Sequence, residues 1–106
     1  MFARSLHVHL KPKNVTEFTR TIDREIIPLL RKQEGFLDEI TFVTPDRTEV
    51  VGISLWDQKE NAETYNRRTY PQVLKALANV VEGIPLVQTY EVSNSTFHKI
   101  AAKVAV

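Results

Sequence analysis

Along the first ten residues, apolar and polar side chains alternate. Phe2, Leu6, Val8 and Leu10 share one parity, interrupted only by Arg4, while Ser5, His7 and His9 take the other. A period of two predicts a strand with one face in a core. Lys11-Pro12-Lys13 ends it, because proline has no amide hydrogen for a ladder. From Val15 the period lengthens: Val15, Phe18, Ile22, Ile26 and Leu29 or Leu30 recur every three or four residues, the stripe of an amphipathic helix. Asn14 and Glu17 form the expected capping pair at its start. Pro28 falls inside the stripe and predicts a kink, or an early end and a restart. Gly35 supplies the left-handed residue after the last turn.

Two further strands are expected, Phe36–Thr44 and Glu49–Asp57, around the turn Thr44-Pro45-Asp46-Arg47-Thr48. The second carries Val50, Val51, Ile53, Leu55 and Trp56, apolar on both parities, so both of its faces must be covered. Asp57-Gln58-Lys59-Glu60 repeats the capping arrangement and opens a second helix through about Arg68. Thr69-Tyr70-Pro71 breaks it. A further helical stripe follows at Val73, Leu74, Leu77 and Val80 or Val81, closed by Gly83 and Pro85. Leu86 to about Phe97 reads as the last strand, with Glu91 and Asn94 on its wet side or at its edge. Strand, helix, strand, strand, helical segment, strand is the α+β, ferredoxin-like βαββαβ order: a four-stranded antiparallel sheet with its helices on one face. The sheet's other face is apolar and unclothed, which predicts a homodimer packed sheet to sheet.

Composition narrows the function classes. The chain has 106 residues, 42% apolar and 25% charged, which fits one globular domain with a core at about 2–97 and a tail at 98–106. Fourteen basic against 13 acidic residues leave a net charge of +1, which asks for neither nucleic acid nor an anionic membrane. No cysteine is present, so there is no disulfide framework or thiolate site. The start lacks a leader pattern and no apolar run approaches a bilayer span, so the expected location is cytoplasmic. Arg67-Arg68 and Arg31-Lys32 read as solvated charge, because base stacking needs more aromatics on the central strands than Phe2 and Trp56. Phosphate-cradling glycine loops and a serine elbow are likewise missing from the sequence.

The candidate chemistry sits in a few side chains. His7 and His9, two apart on a strand, emerge on one face, where they supply a general base, a pair of nitrogen ligands, or half-buried sheet packing. A metal is not expected, since the sequence indicates no third ligand: His98 is far along the chain and no acidic residue stands at a useful spacing. Trp56 ends a strand, where its ring packs a core, walls a pocket, or does both. Tyr65, Asn66 and Tyr70 flank the helix break, where hydroxyl and amide groups can orient a phenolic ligand or stabilise an oxyanion, or simply face solvent.

Two stretches resemble the antibiotic biosynthesis monooxygenase domains. They are Ile27-Pro28-Leu29-Leu30-Arg31-Lys32-Gln33-Glu34-Gly35-Phe36, a helix-to-strand passage, and Ser54-Leu55-Trp56-Asp57-Gln58-Lys59-Glu60-Asn61-Ala62, a strand ending in tryptophan before an acidic helix start. With the strand from Pro85 to Phe97, the resemblance spans about residues 2–97. It implies a dimeric α/β barrel with a cavity between sheet and helices in each protomer. Some members oxidise polycyclic phenols or quinols with oxygen and no cofactor; others degrade haem. The haem-degrading branch uses an asparagine on the first strand and a tryptophan and histidine on the second helical segment. Here Ser5 or His7 stands for the first and Tyr65 or Asn66 for the second, and no histidine lies between Tyr65 and Gly83, so haem degradation is not expected.

The resemblance therefore implies a cofactor-independent monooxygenase for a small aromatic, phenolic or quinol substrate. His7, His9 and Asn66 are its candidate catalytic residues, and Ser5, Trp56, Tyr65 and Tyr70 its candidate substrate contacts. The alternative is a non-catalytic dimeric binding or scaffold module on the same fold.

Overall fold

The computed structural model describes residues 1–98. β1 (Phe2–Leu10) leads to a helical layer of α1 (Val15–Thr21), a π-helical turn (Ile22–Ile26) and α2 (Ile27–Arg31). β2 (Phe36–Val43) and β3 (Glu49–Trp56) follow, then α3 (Lys59–Arg68), α4 (Tyr70–Leu77) and β4 (Val81–Glu91). The strands form one sheet in the order β2-β3-β1-β4, every neighbouring pair antiparallel. The chain is ferredoxin-like, as the order of elements led us to expect. Val8, Leu10 and Val50 on the sheet pack with Phe18, Ile26, Leu30, Val73 and Leu77 on the helices, which places the core on one side of the sheet.

Local chemistry departs from expectation at three places. Asn14 donates its side-chain amide to the Pro12 carbonyl at 2.8 Å instead of capping, and Glu17 pairs with Arg20 at 3.0 Å; the helix start is held by the Phe18 amide on the Asn14 carbonyl. Asp57 likewise accepts from Asn61 at 2.8 Å while Gln58 holds the N-cap position of α3. Around Pro28 the chain widens into the π turn and restarts, so proline falls in the first turn of α2, where a missing amide hydrogen costs nothing. Pro71 does the same for α4.

β4 is the third departure. It begins at Val81, so Gly83 and Pro85, expected to precede the strand, lie inside it, and it ends at Glu91 rather than near Phe97. An edge strand tolerates proline because one row of its amides faces no partner. Gly83 has φ +77° and stands beside the register shift between His7 and His9, a bulge that lets the strand start early. The link from α2 to β2 does follow the sequence: Gly35 has φ +78°, and a Cβ there would run into Asp57 Oδ1 and the Asn61 amide. Of the expected tail, only His98 is described, with Nε2 2.5 Å from Asp38 Oδ2; 99–106 lie outside the described residues.

Candidate functional site

Register fixes what each face of the sheet offers. Side chains alternate, so on the helix side Thr89, Arg4, Ser54 and Glu39 form one row across the four strands. The next row is Val87, Leu6, Gly52 and Thr41, and the next includes Val8, Val50 and Val43. Gly52, in the middle strand of the second row, has no side chain, and a Cβ built there would meet only Thr41 Oγ1, at 3.8 Å. The gap is the floor of a cavity of about 50 Å³, roofed by Phe18, Ile22, Ile26, Leu30, Val73 and Leu77 from the helices. Its polar lining comes from Arg4, Glu39, Thr41, Ser54 and Tyr65. That volume holds a few water molecules.

Arg4 is the unusual member. Its exposure is 4%, and removing a guanidinium from water is costly unless its charge and hydrogens are met. Its terminal nitrogen donates to Asn66 Oδ1 at 2.9 Å, and its carbon lies 4.2 Å from the Tyr70 ring centre and 5.2 Å from that of Tyr65. Among the described residues no carboxylate comes within ion-pair distance of it, and its Nε has no hydrogen-bond partner. Arg4 also lines a groove of about 340 Å³ between α3 and the β1–β4 pair, together with Phe2, Lys59, Asn66, Arg67 and Thr89. One buried cation thus stands between a small cavity and a ring-sized groove.

The aromatics behind it are stacked in series. Trp56 is 0% exposed; its ring centre lies 5.1 Å from that of Tyr65 and 5.6 Å from that of Phe36. Its Nε1 donates to Ser54 Oγ at 2.9 Å, so the indole is satisfied without water. Burial pushes the Tyr65 hydroxyl up to about 12, with Arg4 opposing; Tyr70 is raised for the same reason to a lesser depth. Both phenols are therefore neutral hydrogen-bond donors at ordinary pH.

The expected site residues divide between the two sides of the sheet. Tyr65 lines the cavity, Asn66 and Tyr70 hold Arg4, and Trp56 packs behind Tyr65 without reaching the cavity or the groove. Ser5, His7 and His9 fall on the opposite face, in register with Ile53, Val51 and Glu49 of β3, and contribute nothing to the cavity lining. His7 Nε2 lies 2.9 Å from Glu49 Oε1. Arg4, Glu39 and Gly52 were not anticipated. A charge breaking the apolar parity of β1 and a glycine inside the apolar run of β3 were their only signals in the sequence.

Apart from Asp38 and Gln88, the rest of the outer face is mostly apolar: Ile40 and Phe42 from β2, Val51, Ile53 and Leu55 from β3, and Leu86 and Tyr90 from β4. Phe42 is 51% exposed and Ile84 94%. No helix among the described residues is long and apolar enough to cross a membrane.

No family model matches the sequence, and no curated protein does. Solved structures do. A monooxygenase from ActVA-Orf6 of Streptomyces coelicolor, in complex with nanaomycin D, is 15% identical with a TM-score of 0.76, covering 89% of this chain and 88% of its own. SnoaB, a cofactor-independent oxygenase from Streptomyces nogalater, is 12% identical with a TM-score of 0.74, covering 90% and 95%. A Nitrosomonas europaea protein assigned as an antibiotic biosynthesis monooxygenase is 13% identical with a TM-score of 0.71, covering 86% and 97%. The chain has the fold of antibiotic biosynthesis monooxygenases, the family that its sequence resembles.

Proposed function

We propose that this protein is a cofactor-independent monooxygenase of the antibiotic biosynthesis type, acting on a small phenol or quinol bound between sheet and helices. The observation that carries the reading is Arg4: a buried cation without a carboxylate partner, set against neutral donors and an apolar cavity. A phenolate supplies the missing anion. Its ring lies in the groove beside α3, and its oxygen meets Arg4 between Tyr70 and Asn66.

Arg4 lowers the substrate's pKa by favouring the charged form. Glu63, the carboxylate of the groove lining, accepts the proton. The electron-rich anion then reduces oxygen, and the apolar walls keep the radical pair together until they combine at carbon. One oxygen atom stays on that carbon as a carbonyl. The other leaves as water, with the phenolic proton and the hydrogen the carbon carried. The substrate supplies the electrons, and oxygen is the oxidant. The known structures with this fold that act as oxygenases support the reaction class. The protomer pairs with a second copy through its apolar outer face, as the resemblance implies.

Oxygen uptake with a panel of hydroquinones and anthrols tests the reading. Uptake above buffer is expected from the purified, metal-stripped protein. Arg4→Gln should lower kcat/KM by about a hundredfold, the loss typical of one oxyanion donor. Gly52→Val, which fills the small cavity and not the groove that holds the ring, should leave substrate binding in place and the fold intact, because its Cβ has room and valine suits a strand. A His7→Ala/His9→Ala double variant should keep its rate; if it loses it, the base lies on the other face. No uptake from the wild type, with ligand affinity still dependent on Arg4, would turn the reading into the binding module.

A further inference from the structure

On the outer face, at the end of the sheet where β1 leaves and β3 enters, three potential metal ligands converge. His7 and His9 emerge on the same side of β1, and their rings stack with centres 5.7 Å apart. Glu49 opens β3 and is the register partner of His9, so its side chain rises on that same side. Glu49 Oε1 lies 2.9 Å from His7 Nε2 and 3.6 Å from His9 Nε2, and all three donor atoms fall within 4.8 Å of one another. Around a tetrahedral ion with bonds of about 2.0–2.1 Å, donors stand roughly 3.3 Å apart, so the observed spacings bracket what a zinc ion requires.

We infer that His7, His9 and Glu49 form a binding site for a divalent first-row metal ion, with Zn²⁺ as the fitting probe. Two imidazoles and one carboxylate are borderline donors suited to such an ion rather than to calcium or magnesium, which favour oxygen alone. In the single protomer the three residues are part-exposed, so an ion reaches them from solvent before a second copy covers the outer face. The third ligand is a product of folding. Glu49 is 42 residues from His7 in sequence, and only the antiparallel β1–β3 ladder brings them together. This site is separate from the cavity, on the other side of the sheet, and stands whatever reaction the cavity performs.

Titration calorimetry of the metal-stripped protein with Zn²⁺ tests it, followed by Co²⁺, whose visible spectrum reports tetrahedral coordination. One ion per protomer and a tetrahedral Co²⁺ spectrum are expected. His7→Ala, His9→Ala and Glu49→Gln should each weaken Zn²⁺ binding by more than the roughly 10–100-fold that loss of a group merely supporting a ligand costs. His98→Gln, far from the cluster, should leave binding as it is. These side chains lie on the surface, and the variants' unfolding without metal should match that of the wild type. Failure of the wild type to bind Zn²⁺, or binding that survives all three substitutions, would overturn the site.

Discussion

On the helix side of β1, Arg4, Leu6 and Val8 meet a closed layer of aromatic and aliphatic side chains. On the other side, one residue on along the same strand, Ser5, His7 and His9 stand beside half-buried Ile53 and Val51 and exposed Leu86. The closed side holds its charge inside: the guanidinium is met by an amide and two rings, and its Nε hydrogen faces no protein acceptor among the described residues. The open side does the reverse. Its apolar groups face outward while its imidazoles pair with a carboxylate in the open. One strand thus builds a place for something small and enclosed, and a surface for something broad and flat. The period of two separates them without any change of backbone.

The strongest test of that contrast is to remove the wall of the closed side. Trp56→Ala should cost about 3–5 kcal/mol in urea unfolding, since a wholly buried indole leaves a cavity that the sheet and α3 cannot collapse to fill. Ser54→Ala should cost about 1–3 kcal/mol by stranding the indole hydrogen, although the serine itself contributes little volume. If Trp56→Ala costs less than about 1 kcal/mol, the closed side is not the protein's core.

Alkaline pH probes the same wall. Tyr65 titrates at 10.0 when unfolded and about 12 when folded, because burial disfavours its phenolate. A raised acid pKa means the folded state holds the proton longer. The associated stability is complete below pH 10 and lost as pH rises from 10 towards 12. Two units correspond to about 2.7 kcal/mol. Unfolding free energy measured across that window should fall, and Tyr65→Phe should flatten the fall. An unchanged slope in the variant would mean that Tyr65 is wetter than its position indicates.

The fold was legible because its signals are local and periodic. β1, the restart at Pro28, the left-handed Gly35 and the break before Pro71 each follow from a few adjacent residues. Elements set by neighbours were not. Pro85 closes the helical unit ahead of the last strand in sequence terms, yet it lies inside β4, which tolerates it as an edge, and only the strand order reveals that. Asn14 and Asp57 found other partners because a short polar side chain has several acceptors and donors within reach. In the site, the helix-break residues Tyr65, Asn66 and Tyr70 did gather, around a cation that the sequence marked only as an interruption. Alternation put His7 and His9 on one face, but which face carries the cavity depends on where the helices pack. The empty space above Gly52 depends on a residue having nothing to show.

The smallest effect on the protomer is expected on the open side, and it carries the most about assembly. Phe42 is half-exposed on β2, in register with Val51, at the rim of the apolar face. In an isolated protomer, Phe42→Lys should change stability by no more than about 0.5 kcal/mol, because a lysine there buries no charge and removes little packing. In a sheet-to-sheet dimer the same lysine would be forced against a second apolar sheet, where an unpaired charge is costly. Sedimentation should therefore show the wild type at twice the mass of a protomer and Phe42→Lys at the mass of one, with both folded by circular dichroism. Equal masses for the two proteins would mean that this face meets water, or another molecule, and not its own copy. The exposed isoleucines and leucine beside the imidazoles would then call for a partner of different chemistry.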